Sequence, residues 1–159
     1  MHPQSISEEG IELIKRFEGL HRVGKDGKVR AYRCPANKWT CGWGSTKGVR
    51  SNTIWTTSEA EERLRLDVAE HESIVKQHVS VPLTQGQYDA IVSFVYNLGG
   101  GNFRSSTLLK KLNKGLYDDV PEQLMRWNKA RVEGKLTALK GLTRRRAAEA
   151  AIFSADAKL

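Results

Sequence analysis

The segment most informative about the architecture is LHRVGKDGKVRAYRCPANKWTCGWGST, residues 20–46, which is rich in glycine, aromatic and β-branched residues. Its Asp26-Gly27 pair lies between two short runs that suit β-strands, which is the pattern of a tight hairpin. A second turn is predicted at residues 35–38. We therefore predict three short antiparallel strands, at about residues 21–24, 29–34 and 39–43. A sheet this small needs another element to pack against.

Outside this segment the sequence predicts mainly helices. Ser5 with Glu8 three residues later forms a capping box for a first helix, which Gly19 ends. Ser58 and Thr84 begin two more capping boxes, for a long helix to about residue 77 and for an apolar helix after it.

These elements predict an α+β fold that is mostly helical. We expect a small three-stranded β-lobe and a larger helical lobe, with the active-site cleft between them. The chain is predicted to be a single domain, residues 1–159. Its β-lobe lies at about 20–46, a linking helix at about 58–77, and the helical lobe at about 82–159 together with the first helix.

Composition and charge exclude several classes of protein. Apolar residues make up 39% of the chain and charged residues 28%, which is typical of a folded globular protein. No apolar run approaches the roughly 18 residues that span a bilayer. The polar start MHPQSISEEG argues against a secretory signal, so we expect no stable membrane insertion. The net charge of +8 predicts attraction to a polyanion: nucleic acid, anionic lipid or an acidic wall polymer.

The sequence implies no cofactor and no metal. The motifs GxSxG, HExxH and GxxxxGK[ST] are absent, and the four histidines do not cluster. Two cysteines, Cys34 and Cys41, are too few for a disulfide framework, so reduced thiols are expected.

Glu18 is the first candidate for chemistry. It lies at the end of the first predicted helix, on the same stripe as the apolar residues Ile11 and Ile14. Partial burial would favour a neutral carboxylic acid, the form that a general acid needs. The alternative is a glutamate that pairs with an arginine where the two lobes meet.

The second predicted hairpin supplies partners for Glu18. Pairing that is symmetric about Asn37 places Cys34 opposite Thr40, so both side chains share one face, toward the cleft. Cys41 then points to the other face, which argues against a disulfide with Cys34. The alternatives are that Cys34 is a small apolar filler and that Thr40 reflects β-propensity alone.

Several groups of residues occur in an order that is highly specific when they are taken together. They are Ile14-Lys15-Arg16-Phe17-Glu18-Gly19, Tyr32-x-Cys34-x-x-Asn37-x-x-Thr40-x-Gly42-x-Gly44 and Gln87-x-x-Ala90-x-x-Ser93-Phe94-x-Tyr96-Asn97-x-Gly99, followed by matches at 106–115, Trp127 and 141–149. From about Ser7 to Phe153 this pattern resembles the phage-lysozyme family, the endolysin-type muramidases among the glycoside hydrolases.

The resemblance implies a lysozyme-like fold and a reaction. The reaction is hydrolysis of the β-1,4 bond between N-acetylmuramic acid and N-acetylglucosamine in bacterial peptidoglycan, which lyses the host cell. Glu18 is implied as the general acid, the residue at position 34 as its partner, and Thr40 as a residue that places water. Whether Cys34 is a base, a covalent nucleophile or a water-positioning group stays open.

The resemblance also implies residues that bind substrate. Tyr32, Asn97 and Trp127 match sugar contacts, with core packing as the alternative for Trp127. Arg145, or a neighbour in the run Arg144 to Arg146, is implied as a partner of Glu18, with a solvated basic helix face as the alternative.

Three positions depart from the family pattern. Cys34 stands where aspartate is commoner, Ser45 stands where histidine often follows Gly-x-Gly, and Asn37 replaces a turn glycine. Asparagine tolerates a positive φ and so suits the same turn.

Two other functions compete with hydrolysis. A lytic transglycosylase would cut the same bond without water and leave an anhydro sugar, although Thr40 suits water placement. A non-catalytic wall-binding or nucleic-acid-binding module would use the positive charge. The basic residues look interleaved with acids and no recognition motif occurs, so we expect no nucleic acid partner. We further expect a monomer that accumulates in the host cytoplasm and depends on a holin to reach the wall.

Overall fold

The computed structural model describes residue 3 and residues 5–155, and it is an α+β fold dominated by helices. The helices are α1 (Glu8–Glu18), α2 (Thr57–His78), α3 (Gln85–Leu98), α4 (Gly100–Ser105), α5 (Thr107–Asn113), α6 (Val120–Met125) and α7 (Lys140–Ala155), with a 3-10 turn at Tyr117–Asp119. The strands are β1 (Val29–Arg30), β2 (Tyr32–Arg33), β3 (Trp39–Thr40), β4 (Ile54–Trp55), β5 (Lys129–Val132) and β6 (Lys135–Ala138). The predicted fold class is therefore confirmed.

The strands form two-stranded antiparallel ladders instead of one three-stranded sheet. β1 pairs with β4, β2 with β3 and β5 with β6. The strand predicted at 21–24 contributes a single bridge, Val23 to Val29, around the predicted Asp26-Gly27 turn. The predicted strand 29–34 is divided at Ala31, whose N–H donates to the Thr53 carbonyl oxygen at 3.1 Å.

Two of the predicted helix caps are wrong by two residues. Ser7, not Ser5, caps α1, because its Oγ accepts the Gly10 N–H at 3.1 Å. Thr56, not Ser58, caps α2. It forms a reciprocal box with Glu59, in which both bonds are 3.1 Å long. The capping box at Thr84 is confirmed.

The chain forms two compact units. One is made of residues 14–70, and the other of the described residues before 14 and after 70. The buried apolar residues of the 14–70 unit are Ile14, Val29, Cys41, Trp43, Ala60, Leu64 and Val68. In the other unit α3 is buried continuously from Gln87 to Val95 and packs against α7. The assignment of the chain to one domain stays a prediction.

The β5–β6 hairpin was not predicted. Its two-residue turn is Glu133-Gly134, with φ of +50° and +81°, the geometry of a tight hairpin turn. Among the described residues, no helix is both long and apolar enough to cross a membrane.

Candidate active site

A pocket of about 580 Å³ opens on the 14–70 unit. It brings together four residues that the sequence singled out, Glu18, Tyr32, Cys34 and Thr40. The remaining lining residues are His21, Arg22, Pro35, Gly44 and Thr46. An acid, a thiol, a hydroxyl and a phenol therefore share one cavity that is large enough for a sugar ring.

Glu18 reaches the pocket because it is the last residue of α1. The helix is anchored by the buried side chain of Ile14, and it ends at Gly19, whose φ of +73° suits glycine. The Nε2 atom of His21 lies 3.2 Å from the Glu18 carbonyl oxygen, which holds the chain after the helix close to its end. The Glu18 side chain is half-buried.

The β2–β3 hairpin places the other functional groups. Tyr32 pairs with Thr40, and the Cys34 N–H donates to the Lys38 carbonyl oxygen at 3.0 Å. Cys34 is therefore opposite Lys38, and the predicted pairing with Thr40 is wrong. The turn is centred one residue earlier than expected, since the Asn37 N–H donates to the Cys34 carbonyl oxygen at 2.8 Å.

The face on which Cys34 lies is nevertheless the predicted one. A partner that moves by two residues stays on the same side of a strand, because side chains alternate with a period of two. Cys34 and Thr40 therefore both line the pocket, whereas Cys41 is buried on the other side. Asn37 adopts a φ of +62°, which confirms that it can replace the turn glycine.

The two thiols are both free and lie in opposite environments. The pKa of Cys34 is lowered, first because the Lys38 backbone N–H donates to the sulfur and then because the Thr40 hydroxyl can do so. The Thr40 hydroxyl also donates to the Lys38 carbonyl oxygen at 3.0 Å, so it can switch between the two acceptors when the thiol ionises. Burial raises the pKa of Cys41.

Tyr32 lines the same pocket as the acid and the thiol. Burial raises the pKa of Tyr32, and the nearby negative charges of Glu18 and of ionised Cys34 raise it further. The ring of His21 packs edge-on against the Tyr32 ring, with centroids 5.4 Å apart. The phenol therefore stays neutral and can donate a hydrogen bond within the pocket.

The Gly-x-Gly turn after β3 closes one side of the site. Cys41 and Ser45 pair through two backbone hydrogen bonds of 2.9 and 3.1 Å. Gly42 has a φ of +69°, and a Cβ atom added there would lie 3.1 Å from the Cβ of Ala60. Ser45, at the position where histidine is commoner, donates from Oγ to the Asp67 carboxylate at 2.5 Å and so ties the turn to α2.

Three predicted site residues, Asn97, Trp127 and Arg145, belong to the other unit. The Oδ1 atom of Asn97 is buried and has no hydrogen-bond partner among the described residues. Trp127 packs edge-on against Phe94 at 5.8 Å and also lines a cavity of about 370 Å³. Both interpretations of Trp127, core packing and ligand contact, are therefore compatible with its surroundings.

Arg145 and Arg146 are not part of a solvated basic face. Both are buried around the fully buried Glu149 carboxylate, and Ser93 donates to that carboxylate from Oγ at 2.6 Å. The Arg146 Nε atom lies 2.7 Å from Glu149 Oε1, and the Arg145 Nε atom lies 3.4 Å from Oε2. Only Arg144 of the three arginines is exposed. Pairing of Arg145 with Glu18 stays a prediction.

The sequence alone does not single out some of the pocket residues. His21 and Arg22 follow Gly19 directly, and their place beside the pocket depends on how the chain leaves α1. Arg22 has a φ of +58°, which is uncommon for a residue with a side chain. No local motif distinguishes these residues in the sequence.

The chain is similar to known proteins over most of its length. The profile of the phage lysozyme family matches residues 15–149. The endolysin of Acyrthosiphon pisum secondary endosymbiont phage 1 is 47% identical over 148 residues, which are 93% of this chain and 97% of that protein. The endolysin of Bacillus phage PZA is 41% identical over 152 residues, which are 94% of this chain and 55% of that longer protein.

Solved structures are similar over almost the whole chain. The muramidase domain of SpmX from Asticaccaulis excentricus has a TM-score of 0.85 and 35% identity, covering 95% of this chain and 98% of that one. The endolysin from Escherichia coli O157:H7 phage FAHEc1 has a TM-score of 0.84 and 34% identity, covering 94% and 93%.

The chain belongs to the phage lysozyme family. It is a glycoside hydrolase of the lysozyme (muramidase) type that cleaves bacterial peptidoglycan in phage-induced lysis, and the transglycosylase alternative is not favoured.

Proposed function

We propose that Glu18, Cys34 and Thr40 carry out the hydrolysis, with Glu18 as the general acid. The observation that carries this proposal is the single pocket that holds all three side chains, with Cys34 and Thr40 on the same face of the β2–β3 hairpin. Glu18 donates its proton to the glycosidic oxygen as the bond from that oxygen to the anomeric carbon breaks.

Cys34 acts as the base toward water in this proposal. Its lowered pKa makes the thiolate available at a lower pH than for an ordinary cysteine. A water molecule adds its oxygen to the anomeric carbon and gives a proton to the Cys34 thiolate. The buried hydroxyl of Thr40, 3% exposed, helps to hold that water. Solvent then returns a proton to Glu18 and removes one from Cys34.

Tyr32, Asn97 and Trp127 bind the sugars in this proposal. Support for Tyr32 is its place in the lining of the pocket. Support for Asn97 and Trp127 is their match to the sugar contacts of the phage-lysozyme pattern, and Trp127 also lines a cavity of about 370 Å³.

Glu18→Gln tests the assignment of the acid. We expect release of reducing sugar from purified peptidoglycan to fall by at least about 100-fold, because a carboxamide cannot donate the proton. Glu62→Gln, at an exposed position on α2, is the matched control and should keep full activity. Substantial activity in Glu18→Gln would refute the role of Glu18.

The stereochemistry of the product tests the role of Cys34. Activation of water by a base predicts an inverted reducing sugar, which NMR of the anomeric proton detects in the first minutes of reaction. A retained anomer would instead indicate that Cys34 is a covalent nucleophile.

We also propose that the protein is a monomer that starts in the host cytoplasm and reaches the wall only after a holin opens the membrane. The description of its relatives as endolysins supports this route. Expression in a host should cause lysis only when a holin is co-expressed, and light scattering should give a mass near 17.8 kDa. Lysis without membrane opening would contradict the dependence on a holin. A mass near twice that value would contradict the monomeric state.

A further inference from the structure

Positive charge is concentrated in one part of this chain. Residues 20–56 contain eight of the 26 lysines and arginines and one of the 18 acidic residues, which is a net charge of +7. The remaining 122 residues together carry a net charge of +1. The expectation that basic and acidic residues are interleaved is therefore wrong for this segment.

Most of these cations have no carboxylate partner. The one acid, Asp26, is occupied by Arg30 through bonds of 2.9 and 3.2 Å, and Lys47 pairs with Glu70 at 3.1 Å. The other six form no ion pair within the described part of the chain, and their side chains are all exposed. They are Arg22, Lys25, Lys28, Arg33, Lys38 and Arg50.

The unpaired cations begin at the edge of the Glu18 pocket. Arg22 lines the pocket, and its left-handed φ of +58° is a costly conformation that its surroundings maintain. A hairpin continues from it, with the Arg30 N–H bonded to the Arg22 carbonyl oxygen at 3.1 Å. Lys25 and Lys28 lie at the tip of this hairpin, where the Gly24 N–H donates to the Lys28 carbonyl oxygen at 2.8 Å.

We infer that this basic surface, the exposed cations of residues 22–38, binds anionic groups carried by the same wall polymer whose glycan enters the pocket. The anions are peptide carboxylates or phosphodiesters attached to the wall. The inference rests on the proposed function of the Glu18 pocket. We favour the wall over nucleic acid as the ligand because the cations are continuous with that pocket. A glycan strand bound in the pocket therefore brings its own substituents next to these cations.

Such a surface holds the polymer near the pocket between successive cleavages. A cation close to an anionic surface contributes about fivefold in affinity at moderate ionic strength. Loss of the two lysines at the hairpin tip should therefore weaken wall binding by about 20-fold to 30-fold. Neither lysine lines the pocket, so cleavage of a short uncharged glycan should not change.

The test measures binding and cleavage separately. Binding to purified sacculi is measured by sedimentation in a Glu18→Gln background, with Lys25→Gln/Lys28→Gln as the test variant. Lys110→Gln/Lys114→Gln removes the same charge from two exposed, unpaired lysines in and just after α5, and it serves as the matched control. Lys25→Arg/Lys28→Arg keeps the charge and should bind like the parent.

We expect the hairpin-tip variant alone to lose sacculus binding. Equal loss in both double variants, or no loss in either, would overturn the inference. Loss of binding to duplex DNA without loss of binding to sacculi would also overturn it, in favour of a nucleic acid partner. Amidation of wall carboxylates and acid removal of phosphodiesters distinguish the two sources of anion. Cleavage by Glu18→Gln would refute the proposed catalytic role while leaving the binding result intact.

Discussion

At the scale of single residues, Cys34 and Thr40 form a pair whose chemistry depends on the hairpin turn. The turn directs the Lys38 N–H toward the Cys34 sulfur, and Thr40 offers a second donor from the neighbouring strand. These two donors stabilise the thiolate anion of Cys34, so the thiol can ionise more readily, as a carboxylate does. This explains how cysteine can stand where aspartate is commoner.

Substitutions at Cys34 should rank in a definite order. Cys34→Ser should reduce the rate of peptidoglycan hydrolysis by about 10-fold to 100-fold, which lies at or below the low end of the roughly 100-fold to 10,000-fold that general acid–base catalysis contributes. The loss should be smaller than for Glu18→Gln, because Thr40 still holds water while nothing replaces the acid. Cys34→Asp should keep substantial activity, because an ionised carboxylate is a competent base. Full activity in both Cys34→Ser and Cys34→Ala would show that Cys34 is structural.

The two thiols should differ in the pH dependence of their alkylation. Because the pKa of Cys34 is lowered and that of Cys41 is raised, iodoacetamide should label Cys34 first, with a midpoint below that of the unfolded chain. Thr40→Val removes one donor to the thiolate, so the midpoint for Cys34 should rise. Mass spectrometry of labelled peptides gives both midpoints, and Cys41 is the internal control. Identical midpoints for the two cysteines would contradict the geometry.

At the scale of elements, the sequence correctly predicted features that depend only on the alternation of side chains along a strand. The face shared by Cys34 and Thr40 follows from the alternation of side chains, so it survived an error of one residue in the centre of the turn. The predicted register of the β2–β3 hairpin was wrong, because the register depends on which residue adopts a positive φ. The β5–β6 hairpin was missed for a related reason, since Glu133 is an unusual residue at a φ of +50°.

Buried charge was the other element-scale feature that the sequence did not reveal. The run Arg144-Arg145-Arg146 with Glu149 has the pattern of a solvated helix face, and only packing against α3 decides which arginines are enclosed. In the structure Ser93 of α3 and two arginines of α7 surround one carboxylate. Helix pattern alone does not distinguish these two cases.

Removal of this carboxylate should destabilise the α3–α7 contact strongly. Glu149→Ala leaves two buried guanidinium groups without their counterion, and such changes cost about 3–5 kcal/mol. For a chain of this size the melting temperature should fall by roughly 10 °C, measured by circular dichroism. Glu122→Ala, which breaks the exposed pair with Arg126, is the matched control and should cost under about 1 kcal/mol. Equal effects of the two substitutions would show that the cluster adds no stability.

At the scale of the whole molecule, the positive charge and the proposed catalytic groups are unevenly distributed. Residues 14–70 supply the acid, the thiol, the hydroxyl and the phenol of the pocket, and the same part of the chain carries most of the net positive charge. All four of these side chains belong to that one unit. The other unit contains the buried α3 helix and two of the three predicted sugar contacts, Asn97 and Trp127.

The net charge of +8 should make lysis of whole walls depend on salt. Electrostatic attraction between exposed charges extends about 10 Å at 0.1 M ionic strength and about 3 Å at 1 M. Turbidity loss of a sacculus suspension should therefore slow several-fold over that range. Cleavage of a short neutral glycan should change little, because the proposed proton transfer from Glu18 does not require long-range attraction. The two rates are compared at matched pH, with chromatography of the soluble products. Equal salt sensitivity of the two rates would exclude attraction to the anionic wall as the cause of the slower lysis.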